Sequence, residues 1–222
     1  MTPQRLARLQ AVLDRRQPDL TLLLDNVHKP HNLAAVVRTA DAVGIQDVHA
    51  VWPVARLRPR HDASGGVGKW ITTHPHASIG DAVAALRAGG HSLVAADLTP
   101  AAVDFRSVDY TRPTALVLGA ERDGVSPAAR AAVDTFVTIP MMGMVESFNV
   151  SVAAAIILGE AQRQRAAAGL YDRPRLDAER RRVLLFEWAH PAVAAYCRKH
   201  GLPYPPLDAD GEIADPEWRD RA

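Results

Sequence analysis

At 222 residues, with 48% hydrophobic and 23% charged side chains, the chain has the composition of a globular protein with one substantial core, which excludes disordered and fibrous classes. A formal charge of +1 points away from a uniformly basic surface, and a single cysteine, Cys197, excludes an internal disulfide framework and fits a reducing compartment. No run approaches the roughly 18 apolar residues of a membrane span, and the charged start MTPQRLARLQAVLDRR lacks the apolar core of a signal peptide, so a cytoplasmic protein without membrane partners is expected.

After an opening helical stretch, short apolar runs alternate with segments of helical period. Leu20 to Leu24 reads as a strand, His31 to Val43 as a helix and Val48 to Trp52 as a strand. A basic, Gly-rich loop follows, then helix Ile79 to Ala88, strands Ser92 to Ala96 and Ala115 to Leu118, helix Pro127 to Val133 and strand Phe136 to Ile139. A helix from about Asn149 to Ala168 closes the core, and a charged helical region from Asp177 to His200 precedes a Pro-rich, acidic tail. The alternation predicts an α/β fold with a mostly parallel sheet flanked by helices, its ligands gathered at the carboxyl ends of the strands. The expected organisation is a helical N-terminal extension over 1–18, a core domain over 19–168, and a helical extension with an acidic tail over 169–222.

The charges are unevenly spread. Arg56, Arg58, Arg60, His61 and Lys69 stand against Asp62 alone, and Arg163 to Lys199 is rich in arginine. Such local patches can neutralise phosphates whatever the net charge, because screening confines each charge to about 8 Å. Solvated surface faces explain the same residues equally well.

Several familiar sites are excluded. Gly68-Lys69 is the nearest approach to a P-loop, but Ala63 and Trp70 occupy positions that need Gly and Ser or Thr. No GxGxxG opens a helix. His28 with His31, and His74 with His76, are close pairs without a Cys or carboxylate cluster at ligand spacing, so no metal is expected. Cys197 has no sequence-evident activating partner and reads as inert.

Three segments carry more. In HKPHNLAAVVRTADAVG, residues 28–44, Leu33, Val36, Val37 and Ala40 form the buried stripe of a helix beginning just after Pro30, and Arg38 lies off it. Taken alone, Arg38 would pair with Asp41 and Asn32 would cap the helix. In ALVLGAERDGVS, residues 115–126, a buried strand runs into Gly119 and a charged turn with Glu121 and Gly124. Glycines there serve a tight turn or a close ligand approach. In residues 139–165 a strand ends at Pro140, and Met141, Met142 and Met144 lead through Ser147 to Ser151 into a small-residue helix. Methionines of this kind commonly fill core space, whereas a helix start offers unpaired amides to polar groups.

The order Asn32…Arg38, Gly119-Ala120-Glu121…Gly124, and Ile139-Pro140-Met141…Gly143-Met144…Ser147-Phe148-Asn149-Val150-Ser151 resembles the three motifs of the SpoU branch of the SPOUT methyltransferases. The likeness extends through RRQPDLTLLLDNVHKPHNLAAVVRTADAVG, DFRSVDYTRP and GLPYP. It implies a C-terminal trefoil knot in a SPOUT-like fold, a homodimer, and S-adenosylmethionine as cofactor. The reaction implied is methylation of the ribose 2′-hydroxyl of guanosine-18 in the tRNA D-loop, with ribosomal RNA as the alternative substrate and a non-catalytic RNA-binding scaffold as the competing class. Relatives acting on ribosomal RNA commonly carry a domain ahead of the catalytic one, and only about twenty residues precede the first strand here, which favours tRNA.

By the same resemblance, Ala96, Leu98, Leu118, Gly119, Ile139, Met144 and Phe148 line the cofactor, largely through backbone groups. Ala96 and Phe148 depart from the polar residue and the Leu usual at those places. Arg38 is the catalytic arginine, with Asn32, Glu121, Ser147 and Asn149 orienting it, the ribose and the cofactor. A guanidinium is effectively always protonated, so stabilising a developing alkoxide or clamping a phosphate suits Arg38 better than acting as base. Arg56, Arg58, Arg60 and Lys69 would hold tRNA, with Trp70 stacking on a base.

Overall fold

The computed structural model describes residues 1–27, 29–51, 69–121, 123–215 and 217–218. They form two compact units, one of Gln17–Leu170 and one in which Met1–Arg16 joins Tyr171–Ala222.

The larger unit is built on a seven-stranded sheet of β1 (Leu20–Asp25), β2 (Asp47–Val51), β3 (Thr72–His76), β4 (Ser92–Ala96), β5 (Val103–Asp104), β6 (Thr114–Leu118) and β7 (Thr135–Thr138). The order is β3-β2-β1-β6-β4-β7-β5, and each neighbouring pair is parallel. Helices cover both faces, which is why central strands such as LTLLLD and TALVL are buried at every position rather than alternating. Leu22 and Leu24 pack with Val36, Val37 and Ala40 of α2 (Pro30–Ala42) and Ile157, Leu158 and Ala161 of α5 (Val150–Ala167). Leu23 turns to the opposite core, with Ala82 and Leu86 of α3 (Ile79–Ala88) and Ala129 of α4 (Pro127–Arg130).

The parallel α/β arrangement agrees with the sequence expectation, with two additions. Thr72–His76 has no apolar residue to mark it as a strand, and its proline is tolerable because β3 lies at the sheet edge. At the other edge, β5 is two residues long, too short for any periodicity.

The far end of α5 is fixed by Arg165, which is fully buried. Its guanidinium donates to the Tyr110 carbonyl at 2.8 Å, the Asp19 carboxylate at 2.7 Å, Gln17 Oε1 at 3.0 Å and the Arg112 carbonyl at 3.0 Å. A buried charge persists when its donors are met in this way.

The smaller unit holds α1 (Pro3–Leu13), α6 (Ala178–Ala189) and α7 (Pro191–His200). Thr2 and Asp177 cap α1 and α6. The charged region expected as one stretch divides at His190, because the residue before a proline is driven out of the helical conformation. Arg181 meets Asp14 at 2.8 Å, and the buried Arg16 guanidinium lies 5.1 Å from the Trp188 ring centre.

Candidate active site

The first segment delivers Asn32 to the interior. Pro30 starts α2 with its fixed φ, and the residue at the cap position, Lys29, makes no side-chain cap bond. Asn32 is therefore not the cap that its place near the helix start suggested. It is buried, its Nδ2 donates to Glu121 Oε1 at 2.6 Å, and its Oδ1 accepts from Asn149 Nδ2 at 3.3 Å. Asn149 is itself the cap of α5, its Oδ1 accepting from the Ser151 amide at 2.9 Å and the Ser151 hydroxyl at 2.7 Å. One buried amide thus ties the second segment to the third, donating to a carboxylate on one side and accepting from an amide on the other.

The second segment owes its shape to two glycines. A Cβ on Gly119 would fall 2.1 Å from the carbonyl carbon of Gly124, and Gly124 has a φ of +67°. Ala120 and Gly124 exchange backbone hydrogen bonds of 3.0 and 2.9 Å, closing the turn that presents Glu121. Below the turn, Asp25 is buried and accepts from the Ser126 amide at 2.7 Å. Asp25 went unremarked in the sequence; its signal was an acidic residue ending the apolar run LTLLL.

These segments meet at a cleft of about 530 Å³ at the carboxyl ends of β4, β6 and β7. Of the residues expected around a cofactor, Ala96, Leu98, Leu118, Gly119, Ile139 and Phe148 line it, joined by Glu121, Ser147 and Asn149. Met144 is outside this lining and 100% exposed. Arg38 is on the exposed face of α2, outside the lining as well. Asp97, Asp123, Arg130 and Glu146 also line the cleft, and sequence reasoning named none of them. The described lining carries four carboxylates, at Asp97, Glu121, Asp123 and Glu146, against one guanidinium, so the cleft favours a cationic ligand.

Arg56, Arg58 and Arg60 lie outside the described residues. Lys69 is exposed, with its ammonium 4.7 Å from the centre of the half-buried Trp70 ring. In the arginine-rich C-terminal run, Arg163 pairs with Glu160 at 2.7 Å and Arg182 with Glu179 at 2.6 Å, ordinary helix-surface pairs. Among the described residues no group of three or more His, Cys, Asp or Glu is arranged to hold a metal ion, and no helix is long and apolar enough to cross a membrane.

Residues 19–159 match the model of the SpoU rRNA methylase family, and residues 163–216 match that of the SpoU rRNA methylase C-terminal region. The chain belongs to the SpoU methylase family. Among its SpoU relatives, a tRNA (guanosine(18)-2′-O)-methyltransferase of Escherichia coli K12 is 50% identical over 222 residues, covering 98% of this chain and 96% of that one. The crystal structure of the A. aeolicus TrmH/SpoU tRNA modifying enzyme superposes with a TM-score of 0.79 at 41% identity, over 86% of this chain and 97% of the other. An AdoMet-bound rRNA methyltransferase from Sinorhizobium meliloti superposes with a TM-score of 0.60 at 29% identity, over 69% of this chain and 59% of that one.

Proposed function

We propose that this chain transfers the methyl group of S-adenosylmethionine to the ribose 2′-hydroxyl of guanosine-18 in the D-loop of tRNA. The observation that carries the chemistry is the hydrogen-bonded chain of Glu121, Asn32 and Asn149, residues 89 and 117 positions apart that converge beside one cleft. The near full-length likeness to a guanosine-18 enzyme supports tRNA over ribosomal RNA as substrate.

The cleft fits the cofactor. Its volume of about 530 Å³ falls within the roughly 300–1,000 Å³ of small-molecule sites. Leu118, Ile139 and Phe148 offer apolar surface to an adenine ring, and the surrounding carboxylates complement a sulfonium. When bound, S-adenosylmethionine supplies an electrophilic methyl on that sulfonium. Its methyl would pass to the ribose oxygen, leaving S-adenosylhomocysteine, and the hydroxyl proton would go to solvent water. Glu121 and Asn149, fixed through Asn32, keep the geometry of the cleft edge, which Ser147 also lines. Holding the reactants in register is the largest contribution asked of these residues.

Arg38 stabilises the developing alkoxide or grips the neighbouring phosphate, and in a homodimer it serves the partner's cleft, consistent with its place outside this one. Residues 139–149, linking β7 to α5, are the segment we assign to the trefoil knot. Lys69, Trp70 and the basic stretch containing Arg56, Arg58 and Arg60 contribute to holding tRNA.

The test is nucleoside mass spectrometry after incubating unmodified tRNA and rRNA with the protein and labelled cofactor. Label recovered as 2′-O-methylguanosine from position 18 of tRNA is the expected outcome. Label confined to rRNA would replace the substrate assignment, and none in either RNA would remove the enzymatic reading.

A further inference from the structure

Asp97 follows directly on β4 and lines the cleft, yet nothing above gives it a role. Its side chain is only 10% exposed. The buried oxygen, Oδ2, lies 2.6 Å from Arg130 Nη2, a charge contact without hydrogen-bond alignment. The other oxygen, Oδ1, accepts no hydrogen bond from the described residues and is reached by solvent. It lies 3.8 Å from the point a Cβ on Gly124 would occupy, so the bare glycine leaves its approach open. A carboxylate this deeply buried is costly unless its oxygens meet donors. Here one carboxylate oxygen at the wall of a ligand cleft is open to a ligand's donor.

We propose that Asp97 binds the adenosine half of the cofactor, with Oδ1 accepting a hydrogen bond from a neutral donor, either a ribose hydroxyl or the adenine amino group. The inference rests on the cofactor reading given above. S-adenosylmethionine carries two kinds of donor, its cationic α-ammonium and the neutral groups of its nucleoside. Arg130 already neutralises Asp97, and an ammonium on Oδ1 would add a second cation within a few ångströms of that guanidinium, where like charges repel. A neutral donor forms a charge-assisted bond without that repulsion. The chain neighbours Ala96 and Leu98 line the same cleft, and Leu98 is 56% exposed, apolar area that suits a nucleoside better than a zwitterionic amino acid.

The experiment is calorimetric binding of S-adenosylhomocysteine and of 5′-methylthioadenosine, which lacks the amino-acid half, to the full-length wild type and to Asp97→Asn. Asparagine turns its amide oxygen toward Arg130 and so faces its NH₂ toward the ligand's donor. Both affinities are expected to fall by a similar factor, about tenfold or more. On wild type, 2′-deoxy, 3′-deoxy and 6-deamino analogues of 5′-methylthioadenosine should include one that loses affinity by that factor, and this one should lose nothing further on Asp97→Asn. The analogue series keeps the inference open to refutation even if the variant folds poorly: equal binding of all the analogues by wild type overturns it. So does unchanged 5′-methylthioadenosine binding by a folded Asp97→Asn: if S-adenosylhomocysteine is unchanged too the pair is purely structural, and if S-adenosylhomocysteine is weakened the contact is to the ammonium. Wild type that binds neither ligand would overturn the cofactor reading and this inference together, whereas wild type that binds both while Asp97→Asn matches it overturns this inference alone.

Discussion

Arg38 sits opposite the buried stripe of Asn32, Val36, Val37 and Ala40, so truncating it removes no core contact. Arg38→Ala should change stability by no more than about 0.5 kcal/mol, the ordinary cost of a surface substitution. Loss of an electrostatic contact made only in the transition state instead lowers turnover by about 10²–10³-fold or more. Arg38→Lys should recover little, because a lysine retains the charge but lacks the planar fork that spans two oxygens. Single-turnover methyl transfer with cofactor and tRNA saturating checks both variants, and a substrate with 2′-deoxyguanosine at position 18 sets the background. Near-normal turnover by Arg38→Ala would take the arginine out of the mechanism. Helical periodicity placed Arg38 on the outer face correctly, because that needs only the spacing of apolar neighbours. Local pattern alone offers Asn32 only a cap, because its partners Glu121 and Asn149 are remote in sequence; the resemblance is what set the three residues together. Asp25 ends one apolar strand and Asp97 follows another, a position that marks the carboxyl edge of a parallel sheet but does not say which amide or ligand the carboxylate meets.

At the scale of elements, the edge strands are where sequence and structure part. The apolar strands β1 and β6 were legible because burial on both faces leaves an uninterrupted run, whereas β3 carries TTHPH and lays histidines against its neighbour. Parallel register sets His49 beside His74, with ring centres 4.9 Å apart, and His76 stacks on His49 at 5.1 Å. His49 Nδ1 and His76 Nε2 are 2.9 Å apart, a bond that needs one nitrogen unprotonated. His74 Nε2 meets Asp47 at 2.7 Å. Burial, followed by the neighbouring His74 and His76, pushes His49 down to about 4, with Asp47 opposing and His91 adding to the fall. Burial and His74 lower His76 as well, against Asp81. Since the unfolded histidine protonates first, the unfolded state holds more protons between pH 6.5 and about 4, and stability is lost as pH falls through that window. After discounting for partial exposure, the loss traceable to His49 is on the order of 1–2 kcal/mol. Melting temperature measured from pH 7 to 4 should decline less steeply in His49→Gln than in wild type, the difference opening below pH 6.5. Parallel curves for the two proteins would show that the histidine layer does not couple folding to pH.

At the scale of the whole molecule, the third segment leaves a run of apolar side chains in solvent. Met142 and Met144 are 94% and 100% exposed, and Val145, Phe148 and Val152 are exposed with them. Methionine in such a run reads equally as core filler or as contact surface, so the sequence could place the segment after β7 without saying what would cover it. Exposed apolar side chains gathered this closely along the chain mark an interaction surface, and Val152 on the first turn of α5 is exposed as well. A second copy of the chain is the occupant that also accounts for Arg38, which lies outside its own cleft and in a dimer would complete the partner's. Stable association takes about 800 Å² from each partner, with a dry apolar centre. Light scattering at micromolar concentration should therefore give twice the monomer mass for wild type. Val152→Glu places a charge on this exposed apolar segment without altering the side chains of Asn32, Glu121 and Asn149, and it should shift the protein to monomer. Methyl transfer should fall with the dimer fraction, while the melting temperature of the monomer stays measurable. Mixing excess Arg38→Ala with Val152→Glu should restore nothing, because the second chain cannot dock, whereas Arg38→Ala mixed with a variant disabled only at Glu121 should regain activity as the two exchange subunits. A wild type that is monomeric at micromolar concentration and fully active would remove both the dimer and the assignment of Arg38 to the partner's cleft.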